Sequence, residues 1–429
     1  MLRSCPALLI SAPASNHGKT TVTAALARHH VRQGRKVVVF KTGPDFLDPM
    51  ILQRASGGEV RQLDLWLAGA AACRNMLFEA AGDADLILIE GVMGLFDGTP
   101  CSADLAELFG IAVLAVIDAT GQAQTIGAIA SGLASYRPTL TLAGVLANSV
   151  ASQRHEDLLR QGMPASIRYL GGIRRRARCA LPRQHLGLIP ADEVADLDQR
   201  LDAMAADIAQ LDVSALPASV DFAAADCVAV APLLRGVRIG VARDAAFSFL
   251  YPANLALLQS MGAELHFFSP LSDRVLPEVD SIYLPGGFPE LYLEMLQANR
   301  PMHAALHAHV KADKPVYAEC GGMLFLLESL TDKAGQQATL VGLLPGSAIM
   351  QGKLQGLGYQ TAPMPAGPLR AHTFHYSAIT MRLPPTATGE RLFNTTAGEA
   401  IYQLGRLTAT YLHCYFPSNP IAAAGLFLP

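Results

Sequence analysis

The sequence predicts an α/β protein of two domains: an N-terminal parallel sheet opened by a phosphate-binding loop, and a C-terminal α/β domain carrying a cysteine elbow. Three observations predict it. Short apolar runs alternate with amphipathic helical stretches through the first half, as in a parallel sheet with crossover helices. A second such pattern restarts at Val237-Arg238-Ile239-Gly240-Val241-Ala242. Two reactive turns, Gly18-Lys19-Thr20 and Glu319-Cys320-Gly321, each follow an apolar run and precede a helical one.

The whole chain agrees with this division. Its 429 residues suffice for two domains, and 51% hydrophobic against 16% charged residues supply two buried sheets. A net charge of -3 gives no general attraction for nucleic acid or an anionic membrane. Seven cysteines without a CxxC pair argue for reduced thiols in a cytoplasm rather than a disulfide frame or zinc site. Residues 1–10 run directly into the phosphate loop and read as a first strand, not a signal peptide. The uncharged stretch Ala119–Tyr136 is broken by Gln122, Gln124, Thr125 and glycines, so it does not read as a membrane span. The expected organisation is 1–212 as the nucleotide domain, 213–235 as a linker rich in Ala, Val and Pro, and 236–429 as the second domain.

In the first domain the expected strands are Ala7–Ala12, Lys36–Lys41, Asp85–Glu90, Ile111–Ile117 and Leu140–Ala147, with Gly34 closing the first helix. The loop Pro13-Ala14-Ser15-Asn16-His17-Gly18-Lys19-Thr20-Thr21 offers inward N–H groups, a lysine for phosphates and a hydroxyl for Mg²⁺. Pro13 and Asn16 stand where glycines are usual, and Asn tolerates the left-handed backbone the loop needs. Asp45 and Asp48 follow the second strand; Glu90 and Asp97 follow the third in Glu90-Gly91-Val92-Met93-Gly94-Leu95-Phe96-Asp97-Gly98. Carboxylates at such strand ends point into the crevice where parallel sheets bind ligands. Thr20, Asp45 and Glu90 are therefore the expected Mg²⁺ ligands, since that ion demands oxygen. Asn148, at a later strand end, is an expected adenine contact, and Arg174–Arg178 is a basic cluster of unassigned role.

In the second domain Cys320 sits between a strand, Pro315–Ala318, and an apolar helix expected over Met323–Leu330. A helix N-terminus there would lower the thiol's pKa. His413, after the run Leu407–Leu412, is the expected base. Leu284-Pro285-Gly286-Gly287-Phe288-Pro289-Glu290 ends another strand, and the amides of Gly287 and Gly321 are the expected oxyanion donors. A thiol with a base hydrolyses amides; beside a nucleotide site it suggests glutamine-fed, ATP-driven amide formation. His303, His307 and His309 lack an accompanying acid and read as a solvated helix face rather than metal ligands. Phe374-His375-Tyr376-Ser377 reads either as a contact for a large planar ligand or as a strand with one exposed face.

Taken with the blocks Gly18-Lys19-Thr20-Thr21, Gly43-Pro44-Asp45-Phe46-Leu47-Asp48-Pro49, Glu90–Gly98, Pro285–Glu290, Glu319–Gly322 and Phe374–Ser377, the chain resembles the cobyrinic and hydrogenobyrinic acid a,c-diamide synthases of corrin (vitamin B12) biosynthesis, over essentially its full length. The resemblance implies a dethiobiotin-synthetase-like P-loop NTPase domain followed by a class I glutamine amidotransferase-like domain. It implies ATP, Mg²⁺, L-glutamine and a corrin, hydrogenobyrinic or cobyrinic acid, as ligands. It further implies phosphorylation of the c and then the a carboxylate, with ammonia released at Cys320 displacing phosphate. Asp45, Asp48 and Asp97 would then organise metal, substrate and attacking carboxylate, while Asn16, His17, Gly18, Lys19, Thr20, Thr21 and Asn148 hold nucleotide.

Two further departures from the family pattern stand out. Gln184 replaces the arginine expected before His185, and Tyr415 stands where most class I amidotransferases have a glutamate two residues after the histidine. Cobyric acid synthase and nickel-sirohydrochlorin a,c-diamide synthase share the chemistry, although the Glu90–Gly98 block favours the a,c-diamide synthases. A partitioning-type switch ATPase expects a second lysine early in the loop and no thiol centre, and neither expectation is met. The Ala12-Pro13-Ala14-Ser15 style of loop leans to the metal-free corrin. The sequence leaves a homodimer open.

Overall fold

The computed structural model describes residues 2–175, 183–184, 187–188, 191–226, 229–393 and 396–429. It divides into two compact units, Met1–Cys227 and Val228–Pro429. No helix among the described residues is long and apolar enough to cross a membrane. The five described cysteines, Cys5, Cys73, Cys101, Cys320 and Cys414, are buried free thiols.

The first unit is built on an eight-stranded sheet. Its parallel strands run in the spatial order Arg61–Gln62, Val37–Lys41, Leu86–Glu90, Leu2–Ser11, Val113–Asp118, Leu142–Val150 and Tyr169–Arg174. Strand residues alternate between two cores because successive side chains face opposite sides of a sheet. Ala7, Leu9, Ile87, Ile89, Val113 and Ala115 enter one core. Leu8, Ile10, Leu86, Leu88, Leu114 and Val116 enter the other, which the helices Lys19–Arg32, Leu47–Ser56 and Leu197–Ile208 cover. All five strands expected from the sequence are present. The first helix ends at Arg32, and Gly34 follows in the left-handed region at φ 81°, its N–H bonded to the carbonyl of Val31.

The segment 213–235, read from its composition as a linker, carries a strand. Ser219–Ala223 pairs antiparallel with Leu2–Pro6, Leu2 opposite Ala223 and Pro6 opposite Ser219, and buries Phe222. Five residues with one dominant apolar side chain give too little period to register as an element. The stretch Leu181–Leu186 lies largely outside the described residues, as do Arg176, Ala177 and Arg178 of the basic cluster. Arg174 of that cluster is ion-paired to Glu156 at 3.2 Å.

The second unit has a ten-stranded mixed sheet. Five neighbouring strands are parallel, in the order Glu264–Phe268, Arg238–Ala242, Ser281–Leu284, Val316–Glu319 and Leu407–Thr410. Antiparallel strands extend it through Ala397–Leu404 to Gly367–His375, and the two-residue strand His413–Cys414 pairs with the last of these. A four-stranded sheet, Gln337–Thr339, Leu327–Thr331, Leu344–Met350 and Ser377–Met381, lies beside it in the chain. The helix expected over Met323–Leu330 is shorter: it spans Gly321–Leu326, and a strand begins at Leu327. A short apolar run cannot distinguish helix from strand by periodicity.

Candidate active site

In the first unit three adjacent strand ends assemble one polar cluster. Lys41 and Glu90 are register partners, and Ile10, one residue before the phosphate loop's strand ends, is Glu90's partner on the other side. The loop turns through Asn16 at φ 68° and Gly18 at φ 94°, left-handed angles that Gly adopts freely and Asn tolerates. His17 Nδ1 accepts the N–H of Asp118, and Asn148 Nδ2 donates to the carbonyl of His17. Asn148 thus fixes the loop's backbone, with its Oδ1 accepting the N–H of Ser149. Lys19 Nζ donates to the carbonyl of Ala14 at 3.0 Å, curling back over the loop. Burial, then the charge of Lys41, lowers the Lys19 pKa to about 8.

Glu90 is completely buried. Its Oε1 accepts from Thr20 Oγ1 at 2.8 Å and from Lys41 Nζ at 3.0 Å, while its Oε2 is buried with no hydrogen-bond partner. Lys41 also reaches Asp48 Oδ2 at 3.0 Å and Asp45 Oδ2 at 3.9 Å. Burial opposes its charge, but Glu90, Asp48 and Asp45 outweigh it and hold the ammonium protonated. Burial raises the Glu90 carboxyl to about 7 despite Lys41. Burial also pushes against ionisation of Asp48, yet Lys41 and its hydrogen bonds bring it down to about 2. Asp45 is raised by burial and then by the charge of Asp48. Asp45 Oδ1 caps the helix Leu47–Ser56 through the N–H groups of Leu47 and Asp48, leaving Oδ2 toward Lys41. Asp97 Oδ2 accepts the N–H of Gly94.

No group of three His, Cys, Asp or Glu among the described residues forms a metal cage by itself. Such an incomplete set suits Mg²⁺, which keeps waters and substrate phosphates in its shell. The unpartnered Glu90 Oε2 beside the Thr20 hydroxyl supplies hard oxygen at the required place, so the residues fit the ion. Lys41 was missed in the sequence reading. Its signal was an isolated lysine ending the otherwise apolar Val37-Val38-Val39-Phe40.

In the second unit three neighbouring parallel strands deliver the other centre at their C-terminal ends. Ser281–Leu284 leads into Pro285-Gly286-Gly287, Val316–Glu319 into Cys320, and Leu407–Thr410 toward His413. Cys320 is held at φ 43° and ψ −106°, its N–H bonded to the carbonyl of Thr410 at 2.8 Å. Positive φ at a residue with a side chain is strained and clusters at reactive turns. The Gly286-Gly287 turn lies against both reactive partners. A Cβ on Gly286 would fall 2.3 Å from His413 Cε1, and one on Gly321 would fall 2.9 Å from the Gly287 amide nitrogen. The expected base and Gly321, one of the expected oxyanion donors, therefore both lie against the turn that carries Gly287, the other.

The thiol is not lowered in the way its helix position suggested. Burial, then the charge of Glu290, raises its pKa well above the ordinary value. A six-residue helix has fewer than two turns of aligned dipoles, too few to offset desolvation. Burial likewise depresses His413 to about 3, with His375 adding to the effect. Both shifts favour the uncharged thiol and the uncharged imidazole. His413 stacks on His372 with ring centroids 4.9 Å apart, and His372 Nδ1 is 2.9 Å from the Tyr251 hydroxyl.

His303, His307 and His309 bond through Nε2 to the carbonyls of Leu296, Val341 and Pro315. His303 and His309 are buried, so they are structural donors rather than the solvated face their spacing suggested. In the Phe374–Ser377 run, Phe374 is exposed, whereas His375 stacks on Tyr411 at 3.6 Å and bonds to Glu399. Sequence reasoning missed Glu319, whose carboxylate lies buried beneath the elbow, because its motif drew attention to the cysteine beside it.

A nucleotide loop with an acidic strand-end cluster, followed by a cysteine elbow at the end of a parallel strand and a histidine beside it on the same mixed sheet, defines an amidotransferase of two domains. Residues 8–200 match the CobQ/CobB/MinD/ParA nucleotide binding domain, and residues 238–421 match the CobB/CobQ-like glutamine amidotransferase domain. The chain is 60% identical over 427 residues to the hydrogenobyrinate a,c-diamide synthase of Stutzerimonas stutzeri (strain A1501), covering 100% of this chain and 99% of that protein. It is 58% identical to the protein of the same name from Pseudomonas aeruginosa, over 99% of this chain and 98% of that one. It is 49% identical to the cobyrinate a,c-diamide synthase of Herminiimonas arsenicoxydans, over 98% and 96%. The chain belongs to the family of hydrogenobyrinate and cobyrinate a,c-diamide synthases.

Proposed function

We propose that this protein amidates the a and c carboxylates of a corrin, using ATP and glutamine. The observation that carries the reading is that full-length relatives 60% and 58% identical to this chain are hydrogenobyrinate a,c-diamide synthases. The lower identity, 49%, to a cobyrinate enzyme supports metal-free hydrogenobyrinic acid as the substrate. A cytoplasmic setting fits reduced, buried thiols.

A carboxylate has no leaving group until it is phosphorylated. Lys19 would neutralise the transferring phosphoryl group, with the loop amides around Gly18 as donors. Thr20, Glu90 and Asp45 would hold Mg²⁺, which when bound draws negative charge from the phosphate oxygens. Asp97 stiffens the turn at Gly94, and Asp48 keeps Lys41 in place, so the acidic face meets the substrate preorganised. The corrin carboxylate attacks the γ-phosphorus, ADP leaves, and ammonia displaces phosphate from the acyl phosphate.

Ammonia arises when Cys320 passes its proton to His413 and the sulfur attacks the glutamine carboxamide. Amides of Gly287 and Gly321 receive the developing oxyanion. The histidine returns the proton to the departing nitrogen, and water then hydrolyses the thioester to glutamate.

The test is Cys320→Ser. A hydroxyl there stays protonated, so glutamine-supported amidation should fall by at least about a thousandfold, whereas ammonium salts at raised pH should sustain wild-type diamide formation. Steady-state assays with hydrogenobyrinic and cobyrinic acid, each with glutamine or ammonium, read both the donor and the preferred corrin. Full glutamine-supported turnover in the variant would remove Cys320 from the reaction.

A further inference from the structure

His413 lies on a strand only two residues long, so the sheet ladder alone fixes it weakly. Beyond that pairing and the Tyr415 N–H bonded to the Arg370 carbonyl at 2.8 Å, side chains hold the segment. The Cys414 carbonyl accepts from Asn254 Nδ2 at 2.8 Å, and Asn254 Oδ1 accepts the N–H of Phe416 at 2.8 Å. The Cys414 N–H donates to Glu319 Oε1 at 2.9 Å.

Glu319 is built for this task. It is 2% exposed, and all the donors around it are fixed. Tyr317 donates its hydroxyl to Oε1 at 2.9 Å, and Tyr283 donates to Oε2 at 2.8 Å. The two tyrosines stack with centroids 5.7 Å apart inside an aromatic cluster with Phe416 and Phe427, so the carboxylate has little room to rotate. Glu319 is also the residue before Cys320. One peptide unit therefore separates the strained turn that aims the thiol from the side chain that grips the residue after His413.

We propose that Glu319 is the positioning residue of the glutaminase centre, setting the distance between Cys320 and His413 by holding the Cys414 amide. This rests on the assignment of Cys320 and His413 as nucleophile and base. It supplies from the elbow side the restraint that Tyr415, two residues after the histidine, has no carboxylate to give.

Reach and charge are separable at this position. Glu319→Gln keeps the reach and one carbonyl acceptor, and the Tyr283 hydroxyl can turn to accept from the new amide. Glu319→Asp keeps the charge but withdraws the acceptor by about 1.5 Å, beyond hydrogen-bond distance of the Cys414 N–H. In the full-length protein with ATP and corrin present, glutamine hydrolysis by the Gln variant should keep kcat within about threefold of wild type. The Asp variant should lose roughly a hundredfold in kcat, with KM for glutamine changed less than about twofold and ammonium-supported amidation intact. An Asp variant as active as the Gln variant, or equal losses in both, overturns the proposal. Should the Asp variant fail to fold, the double variant Tyr283→Phe, Tyr317→Phe frees the carboxylate and should lower kcat about tenfold at unchanged KM; unchanged kcat overturns the proposal. Cys320→Ser run alongside separates the two levels: glutamine-supported turnover there defeats the assignment of the nucleophile, not the role of Glu319.

Discussion

Lys41 is 2% exposed on its side chain, with its ammonium 3.0 Å from both Glu90 and Asp48, and it sets the charge balance of the nucleotide centre. Removing one partner of a buried ionic cluster leaves the others uncompensated and typically costs about 3–5 kcal/mol. Lys41→Met should therefore destabilise the first unit by that order at pH 8. In the wild type, Asp48 at about 2 contributes stability that is present above 3.8 and is lost only as pH falls through 2. Without Lys41 that sign reverses. Asp48 and Glu90 would both bind protons more tightly folded than unfolded, so stability falls as pH rises and returns on acidification. Thermal unfolding at pH 8 and pH 5 checks it: the deficit of the variant should shrink at the lower pH, and a deficit that grows there refutes the account. The candidate site residues were drawn from short motifs in which their chemistry is written, as in Gly18-Lys19-Thr20 and Glu319-Cys320-Gly321. Lys41 and Glu319 were not assigned, because their importance lies in partners 49 and 95 residues away that only the fold brings near.

At the scale of elements, parallel strands were the most legible part. Their runs are apolar on both faces because helices cover both sides of the sheet, and the turns between them are marked by glycine and charge. The edge pairing of Ser219–Ala223 was hidden for the opposite reason: only Phe222 is fully buried in it. Its energetic weight is nonetheless concentrated there. Phe222 is 3% exposed and packs in the core that contains Cys5, Ala7 and Leu9. Phe222→Ala should cost about 3 kcal/mol through lost burial and a residual cavity. Urea unfolding followed in the first unit should show a lower midpoint at unchanged slope. A midpoint equal to wild type would mean that the strand is dispensable and that 213–235 behaves as the tether its composition suggests.

Across the molecule, each unit carries its own cores, and their buried ionisable groups differ in a way that predicts which yields first to acid. In the second unit burial lowers four histidines: His303, His309 to about 4, His372 well below its ordinary value, and His413 to about 3. Each binds protons less well folded than unfolded, so its contribution is full above 6.5 and is lost as pH falls below that value. Burial raises Glu290 and Glu319 to about 7, which acts oppositely: stability is recovered as pH falls from 7 toward 4.5. Four groups lowered against two raised leave a net loss of stability on acidification from pH 6.5 to 4.5. In the first unit the balance is closer, since Glu90, raised to about 7, offsets His30, lowered to about 4, and the raised Asp45 offsets His17 or His29. Scanning calorimetry of the full chain should therefore show two transitions, the one unmoved by Phe222→Ala belonging to the second unit. That transition should fall further than the other between pH 7.5 and pH 5. Equal shifts of both, or a larger shift of the one Phe222→Ala lowers, would contradict the charge balance read from these burials.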